Sequence, residues 1–139
     1  MQRAYQTIDE IYVNENNVSM FQLTKENGYY YIVLIVDYPQ KKPLILFKGT
    51  QDEQQEIIKK LEMMNSYEDW MTLHDGSLAR IDHIRHLEKG EEDGMSYIKI
   101  SFGNNRKFTA FKGSEKMCEK LFEEMKKQIY AIVYDLQQI

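Results

Sequence analysis

Cysteine and long apolar runs are scarce in this sequence, and each shortage narrows what the protein can be. Cys118 is the single cysteine, so no disulfide can form within the chain, which agrees with a reducing compartment. The longest apolar run, Tyr29–Val36, falls far short of the roughly 20 residues that span a bilayer. The first residues also lack the apolar stretch of a secretory signal. We therefore predict a cytoplasmic protein that does not contact a membrane.

Positive charge is also in short supply. The chain carries 18 Lys and Arg against 22 Asp and Glu, a formal net charge of -4. Non-specific nucleic-acid binding depends on Lys and Arg that replace phosphate counterions, so the charge balance argues against a nucleic-acid partner. Hydrophobic residues make up 42% and charged residues 29%, a globular composition. We predict a single domain, residues 1–139.

A repeated motif is the most informative feature. Phe47-Lys48-Gly49-Thr50 recurs 64 residues later as Phe111-Lys112-Gly113-Ser114, and apolar residues at helical spacing follow both copies. Upstream, residues 31–34 align with residues 97–100 at an offset of 66. The glycine of each motif can adopt a positive φ and thereby end a strand. Ordered matches of this kind predict an internal duplication.

The duplication has approximate boundaries. We place the repeats at about 8–64 and 77–139, because Ile8-Asp9-Glu10-Ile11 also resembles Ile81-Asp82-His83-Ile84. Residues 65–76 then join the two copies. No Pro/Gly/Ser-rich linker separates them, so we predict two units fused into one domain.

Each repeat has the pattern of strands followed by one helix. β-branched and aromatic residues predict strands at 29–36 and 96–102, with shorter candidates at 18–24, 44–47, 84–88 and 108–111. Thr50 and Glu53 form a capping box that begins a helix ending near Met64. Ser114 caps a second helix, predicted over 115–138 from its apolar stripe. The fold class is therefore α+β: two tandem antiparallel β-sheet units, each followed by an amphipathic helix.

The end of each repeat resembles a known type of module. A strand hairpin that ends in Phe and leads through Ser or Thr into a helix resembles pleckstrin-homology-like modules closed by one C-terminal helix. The resemblance rests on residues 98–102, 108–111 and 119–125, and it extends to short bacterial and phage proteins. It implies a bacterial or mobile-element origin and supplies no catalytic residues.

The residues with catalytic or metal-binding chemistry do not form a recognisable site. His74, His83 and His86 lie close in sequence, but on a strand His83 and His86 would face opposite sides. Cys118 falls on the apolar stripe of the second helix, which favours a buried, inert thiol. We therefore predict no metal, no cofactor and no enzymatic activity.

A ligand hypothesis rests on the two strand–helix junctions. Each places a Lys-Gly-Thr or Lys-Gly-Ser triplet before a helix N-terminus, which can bind an anion: Lys48, Gly49 and Thr50, and then Lys112, Gly113 and Ser114. The alternative is that both triplets simply end a strand and start a helix. The preferred function is a non-enzymatic interaction or accessory protein with an unidentified protein partner. A small-ligand or anion-binding protein that uses these junctions is the second hypothesis.

Two apolar surfaces need a covering partner. On the strand 29–36, Tyr31, Val33 and Ile35 form a second apolar face, so another element or another chain must lie over it. Tyr130 and Tyr134 lie four residues apart and would form an aromatic ridge on the second helix. That ridge covers the Tyr31 face within the chain, or it forms the interface of a homodimer.

Overall fold

The computed structural model describes residues 2–66 and 68–138. Within them, five β-strands precede each of two α-helices, in the following order: β1 (Ala4–Gln6), β2 (Tyr12–Asn14), β3 (Val18–Glu26), β4 (Tyr29–Val36), β5 (Leu44–Gly49), α1 (Gln51–Met64), β6 (Trp70–Thr72), β7 (Leu78–Arg80), β8 (Ile84–Glu92), β9 (Met95–Phe102), β10 (Lys107–Gly113) and α2 (Glu115–Ile129). Short 3₁₀ turns precede β3 and β8. The fold class is α+β, as predicted.

The same order of elements occurs in the first half (residues 4–64) and in the second half (residues 70–129). Both halves also have a bulge at the start of their first long strand, at Ser19 and at Arg85. Descent from a duplicated unit stays a prediction. The proposed equivalence of Ile8–Ile11 with Ile81–Ile84 is wrong, because residues 8–10 lie in a turn whereas residues 81–83 form a 3₁₀ turn before β8.

The strands form three antiparallel sheets. Five strands are arranged in the order β5-β4-β3-β7-β6, three in the order β10-β9-β8, and β1 pairs with β2. The five-stranded sheet joins the halves, because β7 pairs with β3 through Met20↔Ala79 and Phe21↔Leu78. The hairpins β3–β4 and β8–β9 turn at Asn-Gly and Asp-Gly pairs with positive φ, the geometry that tight two-residue turns require.

Each half contributes two buried side chains to the hydrophobic core of the other half. In the first core, α1 packs on β4 and β5 and buries Ile58 and Leu61, and the second half adds Trp70 and Leu78. In the second core, α2 packs on β9 and β10 around Cys118, and the first half contributes residues Met20 and Ile35. The halves are therefore interlocked through their apolar interiors.

The second helix is shorter than predicted. It ends at Ile129, where the Tyr130 amide makes the last helical hydrogen bond to the Lys126 carbonyl (3.0 Å). Its 15 residues span about 22 Å, close to the roughly 25 Å of the eight-residue strand β9. Ile129 still packs against the second core, whereas the later residues of the predicted stripe, Ile132, Val133 and Leu136, are exposed. Tyr130 and Tyr134 consequently do not share a helical ridge, and Tyr134 is 82% exposed.

Residues 68–76 contain a strand where the sequence predicted only a connection. They include β6, whose Trp70 is buried against Phe21 with ring centroids 5.1 Å apart. A three-residue strand is too short to show alternation, which is why the sequence pattern does not reveal it. Among the described residues, no helix has both the length and the apolar composition needed to cross a membrane.

Candidate functional site

The second apolar face of β4 is covered at one end and open at the other. Ile35 is fully buried in the second core, and Val33 packs partly against that core. Tyr31, two residues further from the second half, is only half-buried. The second half of the same chain therefore covers Ile35 and part of Val33, and it leaves Tyr31 partly exposed.

The uncovered end of this face is the floor of an open cavity of about 490 Å³, which we call the inter-half groove. Its floor consists of facing residues from three paired strands: Gln22 and Thr24 on β3, Tyr31 and Val33 on β4, and Ile45 on β5. Glu26 lies at one end, and the β4–β5 loop (residues 40–43) forms one wall. Arg106, from the β9–β10 loop of the second half, completes the lining. The volume falls in the range typical of small-molecule sites.

Gln40 connects the two loops that border the groove. Its Oε1 accepts a hydrogen bond from the Val36 amide (3.2 Å), and its Nε2 donates to the Leu34 carbonyl (3.3 Å). The same Oε1 accepts a hydrogen bond from Arg106 Nη1 at 2.9 Å. The Arg106 guanidinium also lies 5.1 Å from the centroid of the Phe108 ring. Arg106 is therefore held in place although it is exposed.

The groove is positively charged within a chain whose net charge is negative. Lys41, Lys42 and Arg106 line it, and no carboxylate of the described residues forms a salt bridge with any of them. By contrast, Lys107, next to Arg106, pairs with Glu88 at 3.0 Å. Among the described residues, Glu26 is the one acidic side chain that lines the cavity. The groove therefore has unneutralised positive charge beside an apolar floor.

At the first strand–helix junction, the predicted ligand residues contact their own chain. The Thr50 hydroxyl accepts a hydrogen bond from the Glu53 amide (3.2 Å) and donates to the Glu53 carboxylate (2.9 Å). The Thr50 amide donates to the same carboxylate, so the predicted capping box is confirmed, and these hydrogen bonds lower the pKa of Glu53. Lys48 Nζ lies 4.3 Å from the centroid of the Tyr29 ring.

The second junction is engaged in the same way. Lys112 Nζ lies 3.8 Å from the Asp93 carboxylate, and Ser114 Oγ accepts a hydrogen bond from the Met117 amide (3.2 Å). Neither Lys-Gly triplet lines the inter-half groove. The groove therefore includes neither of the two predicted junction sites.

The two junction glycines have a role that the sequence did not indicate. Gly49 and Gly113 do not have positive φ, so the expected strand-ending conformation is wrong. Instead, a Cβ on Gly49 would lie 2.5 Å from the Phe47 ring, and one on Gly113 would lie 2.7 Å from the Phe111 ring. At each glycine, the ring of the phenylalanine two residues earlier occupies the space that a side chain would take.

The candidate catalytic residues lie in structural positions. Cys118 is buried, its thiol donates to the Tyr97 carbonyl (3.5 Å), and burial raises the pKa of that thiol. The ring of His74 packs edge-on against Phe111, and His83 is hydrogen-bonded to Ser19. No three His, Cys, Asp or Glu residues in the described part of the chain are arranged as a metal site.

No protein-family model, curated protein or solved structure matches this chain. The assignment of a functional site therefore depends on the geometry of the molecule. Sequence reasoning missed the inter-half groove, because Gln40 and Arg106 are 66 residues apart. The one sequence signal that pointed toward it was the unexplained apolar face that includes Tyr31 and Val33.

Proposed function

We propose that this protein is a non-enzymatic binding or accessory protein, and that the inter-half groove is its ligand site. The observation that carries the proposal is the uncovered Tyr31–Val33 end of the β4 face, which lies in a cavity large enough for a small molecule. A cytoplasmic location, a bacterial or mobile-element origin, the duplication and the pleckstrin-homology-like character of each half belong to the same proposal. They rest on the sequence pattern.

The chemistry of the groove favours binding over catalysis. Among the described residues that line it, Thr24 is the one side chain with an aliphatic hydroxyl, and no histidine or cysteine lies beside it. Glu26 is an exposed carboxylate at the end of a strand. Nucleophilic catalysis needs a base within hydrogen-bond reach of the nucleophile, and general acid–base catalysis depends on a tuned pKa. The lining suits contacts to a ligand instead.

Nuclear magnetic resonance tests this site directly. We expect small aromatic fragments, added to ¹⁵N-labelled protein, to shift amide resonances of β4, of residues 40–43 and of Arg106. Val33→Asp places a charge on the floor and should abolish those shifts. Arg85→Gln changes a charge outside the groove and should preserve them. Shifts that cluster elsewhere, or a fragment panel that produces none, would contradict the proposal.

Self-association is a second candidate, supported by the C-terminal segment. After α2, apolar side chains are exposed in close succession: Ile132 (69%), Val133 (58%), Tyr134 (82%) and Leu136 (72%). Contiguous exposed apolar groups often mark interaction surfaces. We propose that this segment, rather than a Tyr130–Tyr134 helical ridge, supplies any homodimer contact. Light scattering of the wild type and of Ile132→Asp should then differ, and a wild type that is monomeric at micromolar concentration refutes the dimer.

A further inference from the structure

Building on the proposed ligand site, we infer that the inter-half groove binds a small molecule with an oxyanion head group on an aromatic or apolar body, and that Arg106 anchors the head group. The head group is a carboxylate or a phosphate monoester. Three features lead to this ligand class: the unneutralised charge of the groove, the restraint on Arg106, and the composition of the floor. Each sets one requirement that the ligand has to meet.

The charge of the groove requires an anion. Lys41, Lys42 and Arg106 line one cavity without a carboxylate partner among the described residues, while Glu26 is the single lining carboxylate. Like charges that share one cavity repel each other, and a bound anion relieves that repulsion. Because the groove opens to water, the attraction should weaken as salt is added.

Arg106 is suited to recognise an oxyanion head group. A guanidinium has five N–H donors in a rigid fork. Arg106 Nη1 donates to Gln40 Oε1, the one side-chain acceptor that the described residues supply to this guanidinium. Gln40 is itself fixed by two backbone hydrogen bonds at the end of β4, and the guanidinium rests near the Phe108 ring. A pre-organised guanidinium loses little entropy when it forms a bidentate pair with a carboxylate or phosphate.

The floor of the groove requires an apolar body beside that head group. Val33 and Ile45 are paired on neighbouring strands, and the half-buried Tyr31 ring lies two residues along β4. Gln22 and Thr24, paired with Val33 and Tyr31, supply hydrogen-bonding groups at the same level. A cavity of about 490 Å³ admits one or two fused rings or a short alkyl chain.

Matched naphthalene probes test the ligand class. We would titrate 2-naphthoate, 2-naphthyl phosphate and the neutral 2-naphthamide into ¹⁵N-labelled protein. At least one anion should bind roughly tenfold more tightly than the amide, and the advantage should shrink as salt is added. The tighter of the two anions identifies the head group. If the amide matches both anions while still shifting groove resonances, the anion class is wrong although the ligand site stands. If no probe shifts them, the proposed function itself fails.

Variants test the role of Arg106. Arg106→Lys keeps the charge but removes the fork, so it should weaken anion binding about fivefold or more and leave amide binding unchanged. The double variant Lys41→Gln, Lys42→Gln changes exposed side chains, so it should fold normally and bind the anions less tightly. Arg85→Gln, which removes one positive charge outside the groove, should bind as the wild type does. Full anion affinity in Arg106→Lys would overturn the anchoring role.

Discussion

Ser19 Oγ lies 2.8 Å from His83 Nδ1, a hydrogen bond that links the first half of the chain to the second. Ser19 is the bulge residue of β3, and its side chain is fully buried. His83 ends the 3₁₀ turn that precedes β8. Burial, followed by the nearby positive charge of Arg80, lowers the pKa of His83 below its ordinary value of 6.5.

The pH dependence of stability should therefore include a contribution from His83. Because its pKa is lower in the folded chain, the unfolded chain binds a proton first as the pH falls. The contribution is fully present above about pH 6.5, the unfolded value, and is lost as the pH falls through the lower folded value. Urea unfolding between pH 7.5 and 5 should show this decline, and His83→Gln should make it shallower. Parallel curves for the two proteins would refute the assignment.

Ile35→Ala should destabilise the whole chain. Ile35 lies on a strand of the first half but is fully buried in the core of the second half. Removing a buried isoleucine side chain to Cβ costs about 2–5 kcal/mol in the free energy of unfolding. We expect a single urea transition at a lower midpoint, whereas the exposed control Met63→Ala should change stability by less than about 0.5 kcal/mol. Two separated transitions would show that the halves unfold independently.

The Cys118 thiol should react slowly in the folded protein. It is buried, and burial raises the pKa of the thiol, so little reactive thiolate is available. A soluble disulfide reagent should label it slowly in buffer and quickly in denaturant. Cys118→Ser should cost about 1–3 kcal/mol, because a hydroxyl would be placed in the apolar second core. Rapid labelling of the native protein would contradict the buried state.

Gly49→Ala should be destabilising, and a second change should rescue it. The added Cβ would meet the Phe47 ring at 2.5 Å, so the ring must move at a cost of roughly 1–3 kcal/mol. Phe47→Leu removes the distant ring atoms. The double variant Phe47→Leu, Gly49→Ala should therefore be more stable than the sum of the single effects predicts. Thermal unfolding of the four proteins measures this coupling, and strict additivity would argue against the contact.

The long strands and the helix starts were predictable because local chemistry determines them. Asn27-Gly28 and Asp93-Gly94 form the two tight turns. The strands that follow these turns, β4 and β9, are rich in β-branched and aromatic residues. The strands β1, β2, β6 and β7 were missed, since each has three residues and gains its stability from pairing. Helix α2 was predicted too long, because apolar residues at helical spacing continue in the sequence after Ile129, the last of them that packs against the second core.

The groove could not be predicted, because it forms where two distant loops meet. Arg106 reaches the groove only because the β9–β10 loop docks on the end of β4, where Asn104 Nδ2 donates to the Val36 carbonyl. Neither loop has a sequence motif that signals a partner. Periodicity did identify a face that lacked cover, and that face became the floor.

The pairing that β7 makes with β3 has no equivalent on β8, the edge strand of the three-stranded sheet in the described part of the chain. In the first half, the adjacent pair Met20↔Ile35 accepts apolar contacts from the second half. At the corresponding register in the second half stands His86↔Ser101, and Arg85 and Lys89 add charge along β8, the edge strand of its sheet. A charged strand edge resists pairing with another strand. The polar pair His86↔Ser101 and the charges of Arg85 and Lys89 therefore disfavour the addition of a further strand to β8.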